Sequence, residues 1–258
     1  MPFVQSVKAD IYYEAHGSGP AIVFAHGAGG NAASWWQQVP HFVRGNRIIT
    51  FDHRTFGRST CAPEDFRAEH FARDVLAILD AEGIDDAALV CQSMGGWAGS
   101  RLAVEHADRV RALVMSHTPG CFSNPQIVQL RDAAPPREAP TESFAHWAVG
   151  AEFPRRKPAE SYLYTQIAGL NVSFDRALLT RLREDAALID TSSLGDYRVP
   201  TLFITADKDR IFSPELIHTT ASAVPGAKFL NLGDAGHSSY FEIPEIFNQV
   251  VEDFLARG

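Results

Sequence analysis

Residues 88–96 read ALVCQSMGG, and this stretch decides how the chain is expected to fold. An apolar run stops at Ser93, and glycines follow at positions 95 and 96. A sharp turn from a strand into a helix forces strained backbone angles on the residue at its apex, and small neighbours let strand and helix approach each other. The stretch therefore predicts that Ser93 projects above a sheet, where its hydroxyl needs a neighbouring base to act as a nucleophile.

Cys91 lies two residues before Ser93, so its thiol is a rival nucleophile to consider. In a strand its side chain shares a face with Ser93 but lies deeper. Buried cysteines usually behave as small hydrophobic residues. We therefore expect Cys91 to fill space and to alter slightly how the following helix packs.

Other short apolar runs also end in polar or glycine-rich turns. Continuous apolar runs are typical of strands covered on both faces, and residues between them repeat at helical spacing. The sequence Ser-Pro-Glu at residues 213–215 predicts the start of a helix. This alternation implies a mostly parallel sheet with helices on both faces. The other runs are residues 21–27, 47–53, 110–118, 200–207 and 227–237.

The stretch from about residue 120 to residue 196 interrupts the alternation. It has no clear buried strand, and prolines separate helical patches. We predict that residues 120–196 form a helical lid (cap) inserted into a core made of residues 1–119 and 197–258. Trp147 in the lid and Trp35 in the core are candidates for lining a substrate pocket, with packing as the alternative.

Composition restricts the class of protein. The 258 residues suit one α/β domain with a large core. A formal net charge of −8 argues against nucleic acid or an anionic membrane as partner, and no apolar stretch reaches the ~20 residues of a membrane span. The N-terminal residues lack a signal-peptide pattern, which favours a cytoplasmic location. Three scattered cysteines and the lack of an HExxH motif predict no metal site.

Polar residues follow several of the predicted strands. Ligands of open parallel sheets bind beyond the carboxyl ends of the strands, so these residues should share one edge. A hydroxyl at Ser93, a carboxylate at Asp207 or Asp209, and an imidazole at His237 follow in that chain order. His237 would be the base for Ser93, and a carboxylate would fix its tautomer.

These motifs resemble those of the α/β-hydrolase superfamily, and most closely those of its compact, lidded hydrolases that use no cofactor. The resemblance implies an eight-stranded, mostly parallel sheet, Ser93 as nucleophile, and the N–H groups of Ala28 and Met94 as oxyanion donors. Because the family places its acid ahead of an apolar residue and a proline, it favours Asp209 over Asp207. The matching stretches are residues 26–30, 52–59, 92–96, 207–209 and 236–237.

A serine nucleophile in this family implies acyl chemistry. We expect hydrolysis of a small carboxylic ester or lactone, as by a carboxylesterase or lactonase, without metal or cofactor. Hydrolysis of carbon–carbon bonds in diketone-like ring-cleavage products is the alternative, although Ser238 stands where those enzymes usually have Trp and Gln92 where they favour Asn. A slow, receptor-like member is a third interpretation. The oligomeric state is not indicated.

Three further histidines follow strand ends. His26 is expected to brace its loop by hydrogen bonding, and His53 to be structural. His117 is a weaker candidate for lining the pocket, and no carboxylate directly follows its strand. Asp52 and Arg54 are expected to form an ion pair or to brace a turn. The basic run at residues 155–157 is expected to be solvated.

Overall fold

A computed structural model describes residues 2–133, 147–172, 174–175, 177–179, 182 and 188–257. In these ranges no helix has the length and apolar character needed to cross a membrane. The strands are β1 (Phe3–Ser6), β2 (Ala9–His16), β3 (Ala21–Ala25), β4 (Arg47–Phe51), β5 (Thr60–Cys61), β6 (Ala87–Gln92), β7 (Val110–Ser116), β8 (Phe122–Ser123), β9 (Ile189–Asp190), β10 (Thr201–Thr205) and β11 (Lys228–Asn231).

The main sheet has the order β1-β2-β4-β3-β6-β7-β10-β11, and β5 pairs with β2 beside this path. The pairs β1–β2 and β2–β4 are antiparallel. Every later pair along the path is parallel. The prediction of a mostly parallel eight-stranded sheet is confirmed, with the two-residue β5 as an addition.

Helices cover both faces of this sheet. Val23 of β3 belongs to the same buried cluster as Leu102, whereas its neighbour Phe24 belongs to a second cluster with Phe247. Successive strand residues point to opposite faces, so the two clusters lie on the two sides of the sheet. The helices are α1 (Val39–Phe42), α2 (Ala68–Ala81), α3 (Gly96–Glu105), α4 (Pro125–Asp132), α5 (Phe153–Arg156), α6 (Pro158–Gly169), α7 (Pro214–Ala223), α8 (Ser239–Glu242) and α9 (Pro244–Leu255).

The chain leaves the main sheet after β7 and returns to it at β10. In between lie α4, α5, α6 and the short parallel pair β8–β9, a pair that the sequence did not predict. The pairing joins Phe122 to Ile189 and Ser123 to Asp190, which ties the two ends of the insertion together. The lid bounds of 120–196 include residues outside the described ranges and stay a prediction.

Candidate active site

Ser93 directly follows β6 and starts the turn into α3. Its φ angle is +50°, in the left-handed region that non-glycine residues rarely adopt and that costs of order 1–3 kcal/mol. Glycine is needed nearby, because a Cβ at Gly95 would collide with the carbonyl oxygen of Ala25, and one at Gly27 with the side chain of Gln92. The strained turn expected from ALVCQSMGG is therefore present.

Cys91 points from β6 into the packing between strand and helix. It is 1% exposed, and a Cβ at Gly99 of α3 would lie 2.6 Å from its Sγ. Burial raises the pKa of the Cys91 thiol to about 12, so the thiolate is disfavoured. The extra volume of the sulfur is accommodated by a glycine on the helix.

Asp209 and His237 follow β10 and β11 and are in contact. Nδ1 of His237 lies 3.1 Å and 2.9 Å from the two carboxylate oxygens of Asp209. Oδ1 of Asp209 also accepts the backbone N–H groups of Ile211 at 2.7 Å and Phe212 at 3.0 Å. Asp207 is exposed instead and accepts a hydrogen bond from a side chain of β11.

The Asp209 carboxyl is ionised in this setting. Burial alone would raise its pKa, but the charge of His237 and hydrogen bonds from His117 and His237 lower the pKa below its ordinary value. An ionised carboxylate accepts hydrogen bonds only, so Nδ1 of His237 carries the proton. The opposite ring nitrogen, Nε2, is then the basic one.

Nε2 of His237 is buried and makes no hydrogen bond to any residue in the described part of the chain. The side chain of Gln92 donates to the carbonyl oxygen of His237 at 3.1 Å. Gln92 immediately precedes Ser93, so this bond ties the Ser93 turn to the His237 loop. The arrangement leaves Nε2 without a partner on a loop that Gln92 joins to the serine turn.

His117 is a member of this cluster, and its contact with Asp209 is not predicted by the sequence. It follows β7, is fully buried, and has a φ angle of +54°. Its Nδ1 lies 2.9 Å from Oδ2 of Asp209, and its Nε2 lies 2.8 Å from Oγ of Ser239. The available signal is a histidine at a strand end that no carboxylate follows, and this signal predicts only a place in the pocket lining.

The loop after β3 carries the proposed oxyanion donor Ala28. His26 braces this loop, because its Nδ1 lies 2.8 Å from the carbonyl oxygen of Gly27 and its Nε2 accepts the N–H of His53 at 2.9 Å. Burial lowers the pKa of His26 to about 4, so the imidazole is neutral near pH 7. Met94, the second predicted donor, is buried at the start of the turn into α3.

Asp52 and Arg54 do not pair with each other. Asp52 accepts the N–H of Ala32 at 2.7 Å and the Nε–H of Arg58 at 3.0 Å, so it connects two loops at this edge. Arg54 forms a buried ion pair with Asp74 of α2, with Arg54 Nε 2.8 Å from Asp74 Oδ2. Both residues are structural.

Helix α6 and the residues just after it, in the insertion between β7 and β10, touch both loops of the site. The hydroxyl of Tyr164 lies 2.8 Å from Oγ of Ser238, next to His237. Just beyond α6, the Asn171 amide donates to the carbonyl oxygen of Gly29 at 2.8 Å and accepts the N–H of Gly57 at 2.8 Å. The insertion therefore packs directly on the edge that carries Ala28 and His237.

The two tryptophan candidates lie in different surroundings. Trp35 is fully buried and packs against Phe24 and Tyr240, contacts that favour the packing interpretation. Trp147 is half-buried, with the guanidinium of Arg210 5.0 Å from its ring centroid. A role for either in binding substrate stays a prediction.

Arg156 and Lys157 of the basic run at residues 155–157 line a cavity of about 650 Å³, which Asp209 also lines. Arg155 pairs with Glu152 at 2.7 Å, and Arg156 pairs with Asp234 at 2.6 Å. The ammonium of Lys157 donates to a backbone carbonyl at 3.1 Å. The run is engaged in surface ion pairs and hydrogen bonds, which agrees with the solvated interpretation.

In the described residues, one cluster of three side chains has ligand atoms close enough together for a metal ion. They are His117, Asp209 and His237, whose atoms lie within 4.8 Å of one another. Each of these atoms already takes part in the N–H···O bonds described above, and those bonds account for the arrangement.

Known proteins resemble the chain over almost its whole length. Residues 20–147 match the sequence model of the α/β-hydrolase fold. A protein of Azorhizobium caulinodans that bears the name carbamate hydrolase RutD is 27% identical, over 98% of both chains. A Mycobacterium tuberculosis protein that bears the name non-heme bromoperoxidase is 28% identical, over 96% of this chain and 98% of its own.

Solved structures agree with this relationship. An N-acyl homoserine lactone degrading enzyme superposes with a TM-score of 0.82 and 26% identity, over 98% of this chain and 100% of its own. The enol-lactonase of Burkholderia xenovorans superposes with a TM-score of 0.81 and 25% identity, over 99% and 100%. The fold and these relatives together show that the chain is a hydrolase of the α/β-hydrolase superfamily.

Proposed function

We propose that the protein is a serine hydrolase that cleaves a small carboxylic ester or lactone through an acyl-enzyme. The observation that carries the proposal is the Asp209–His237 pair, whose Nε2 has no partner in the described residues and whose loop is tied through Gln92 to the strained Ser93 turn. A hydroxyl, an oriented imidazole and an ionised carboxylate are the groups that acyl transfer to serine requires.

In the first step, Nε2 of His237 takes the proton of the Ser93 hydroxyl while Oγ forms a bond to the carbonyl carbon. Asp209 stabilises the imidazolium that results. The N–H groups of Ala28 and Met94 are the proposed donors to the oxyanion, and loss of one such donor typically costs about 10²–10³-fold in kcat.

In the second step, the imidazolium of His237 protonates the leaving alkoxide as the carbon–oxygen bond breaks. A water molecule then loses a proton to the same nitrogen and attacks the acyl-enzyme, which releases the acid and restores the Ser93 hydroxyl. In a lactone the alkoxide and the acid belong to one molecule, so a single hydroxy acid leaves.

The structural relatives that act on lactones support this substrate class, because they share the fold over nearly the whole chain. A carbamate offers the same groups an acyl carbon, and the name of the Azorhizobium caulinodans relative makes it worth testing. We therefore place p-nitrophenyl acetate, a γ-lactone, an ethyl carbamate and a diketone acid on one substrate panel.

The test compares Ser93→Ala with the parent enzyme on this panel. We expect kcat for p-nitrophenyl acetate to fall by at least ~10³-fold, because the nucleophile is lost. A fluorophosphonate should add its mass to the parent and not to the variant. Ser193→Ala, at an exposed serine far along the chain, is the control and should keep full turnover.

Other outcomes discriminate between the functions. Full esterase turnover by Ser93→Ala would refute the mechanism. Turnover of the diketone acid alone would select the carbon–carbon hydrolase, and labelling without multiple turnover on any substrate would select the receptor-like member.

A further inference from the structure

His117 occupies a position that the two-step mechanism does not use. It is fully buried, follows β7, and keeps a left-handed backbone at φ +54°. A non-glycine residue rarely holds this conformation unless the surroundings fix it. Its two ring nitrogens are both paired, one with Asp209 and the other with Ser239.

The protons on this imidazole follow from its partners. The ionised carboxylate of Asp209 can only accept, so Nδ1 of His117 carries a proton and donates it. Burial lowers the pKa of His117, which makes the neutral form the resident one. Its Nε2 then accepts from the hydroxyl of Ser239, so both ring nitrogens are paired and the plane of the ring is held.

These bonds leave the Asp209 carboxylate little freedom to rotate. Oδ1 is held by the N–H groups of Ile211 and Phe212, and Oδ2 by His117. The remaining approach to both oxygens is taken by Nδ1 of His237. Two imidazoles therefore share one carboxylate.

We propose that His117 is a positioning residue of the active site, fixing the Asp209 carboxylate and moderating its attraction for His237. The inference rests on the proposed function, because it assigns His117 a part in orienting the base of Ser93. His117 acts through Asp209 and not on the substrate.

The charged and titratable groups that influence His117 come from three places in the chain. They are Asp209 after β10, His237 after β11, and Glu242 at the end of α8. The Glu242 carboxylate accepts the N–H groups of Gly150 at 3.0 Å and Gly236 at 3.0 Å, so it is held by the insertion between β7 and β10 and by the His237 loop. Two carboxylates and one imidazole therefore influence the charge on His117.

The test compares His117→Leu with His117→Asn. Leucine removes the donor to Asp209, and we expect kcat to fall by about tenfold to a hundredfold with little change in KM, the size of one hydrogen bond to a charged group. Asparagine tolerates the left-handed backbone and offers an amide N–H to the same oxygen, so its kcat should stay within about threefold.

The pH profile of kcat/KM separates positioning from a merely structural role. Without the His117 donor, Asp209 interacts more strongly with the protonated form of His237. Protonation of the base then occurs at higher pH, and the acidic limb should move up by about 0.5–1 pH unit in His117→Leu. The limb should stay in place in His117→Asn.

Ser239→Ala is the variant that decides the matter if His117→Leu does not fold. It leaves His117 and Asp209 intact but removes the hydroxyl that holds the far side of the His117 ring, which weakens the hold of His117 on Asp209. We therefore expect a severalfold loss of kcat and a displaced acidic limb. The positioning role would be overturned if folded His117→Leu kept the kcat and the pH profile of the parent enzyme. If His117→Leu does not fold, the same result in Ser239→Ala would overturn it.

Fluorophosphonate labelling of Ser93 separates a failure of the His117 role from a failure of the proposed serine-hydrolase function. Labelling with an unmoved acidic limb refutes the role of His117 and leaves the serine hydrolase intact. A protein that hydrolyses esters without Ser93 refutes both.

Discussion

Asp207 and Asp209 are two positions apart, but they lie in different surroundings. Asp207 faces water, where its carboxylate accepts a hydrogen bond from Asn231 at 2.7 Å. Asp209 turns inward after one more residue and meets His237. Only a carboxylate that is fixed against the imidazole can hold its tautomer and stabilise its positive charge.

Asparagine substitutions at these two positions should therefore have very different effects. We expect Asp209→Asn to lower kcat by about 10⁴-fold, since an amide both lacks the negative charge and favours the wrong tautomer of His237. Asp207→Asn should leave kcat within about threefold and serves as the matched control. Steady-state kinetics on p-nitrophenyl acetate measure both, and a larger loss for Asp207→Asn would reverse the assignment.

Ser93, Asp209 and His237 could be proposed as site residues from the sequence, through local motifs and the resemblance to the α/β-hydrolase superfamily. Ser93 lies in a small-residue turn, and Asp209 is followed by an apolar residue and a proline. His117 has no such signal, because its contact with Asp209 depends on β7 and β10 lying side by side. The partner of Arg54 was missed for the same reason, since Asp74 belongs to a helix.

At the scale of elements, the fit of β6 against α3 depends on Cys91 and Gly99. A Cβ at Gly99 would lie 2.6 Å from Sγ of Cys91 and 2.8 Å from Cδ1 of Leu113. Carbon and sulfur atoms cannot approach so closely without movement of the helix. The Ser93 turn begins this helix, so its packing also bears on the site.

Gly99→Ala should destabilise the protein although alanine favours helices. We expect a loss of about 1–3 kcal/mol in the free energy of unfolding from overpacking, measured by urea denaturation. Cys91→Ala in the same chain should remove part of the clash, so the double variant should be more stable than the sum of the single effects by about 1 kcal/mol.

Gly169→Ala is the control for this cycle, because a Cβ there meets nothing within 4 Å. It should be neutral or stabilising by up to about 1 kcal/mol. If the effects of Cys91→Ala and Gly99→Ala on the free energy of unfolding were additive, the close packing of Cys91 against position 99 would be contradicted.

Elements with a strong periodic pattern were predictable from the sequence, and very short ones were not. The helix start at residues 213–215 is confirmed, since Oγ of Ser213 accepts the N–H of Leu216 at 3.2 Å and the helix begins at Pro214. The strands β8 and β9 have two residues each. Two residues show no periodicity, and their pairing depends on the chain between them.

At the scale of the whole molecule, His26, His53 and His117 are buried histidines of the described residues that favour their neutral forms. Burial lowers the pKa of His26 to about 4, and it lowers the pKa of His117 and, to well below its ordinary value, that of His53. Both ring nitrogens of His53 are buried without a hydrogen bond to any residue in the described ranges. Its ring packs instead against Phe51, Phe71 and His26.

Neutral buried histidines make the folded protein sensitive to acid. In the unfolded chain a histidine has its ordinary pKa of about 6.5, so on acidification the unfolded state binds the proton at a higher pH than the folded state does. The free energy of unfolding is therefore unaffected above about pH 6.5 and falls as the pH drops towards the pKa of the folded state. For His26 this loss occurs between about pH 6.5 and pH 4, and it lowers the free energy of unfolding by about 3 kcal/mol. The Asp209 carboxyl, with its lowered pKa, adds its own loss only below its ordinary value of 3.8.

His53→Phe should reduce this sensitivity and stabilise the protein at neutral pH. Phenylalanine keeps the ring contacts with Phe51 and Phe71 and removes two polar atoms that burial leaves without partners, a change worth about 1–2 kcal/mol. Thermal unfolding at pH 7.5 and pH 5.0 should show a higher Tm at both and a smaller difference between them than in the parent. His16→Gln, at an exposed histidine of β2, should keep the parental difference. An unchanged difference in His53→Phe would mean that the acid sensitivity arises elsewhere, with His26 the next histidine to replace.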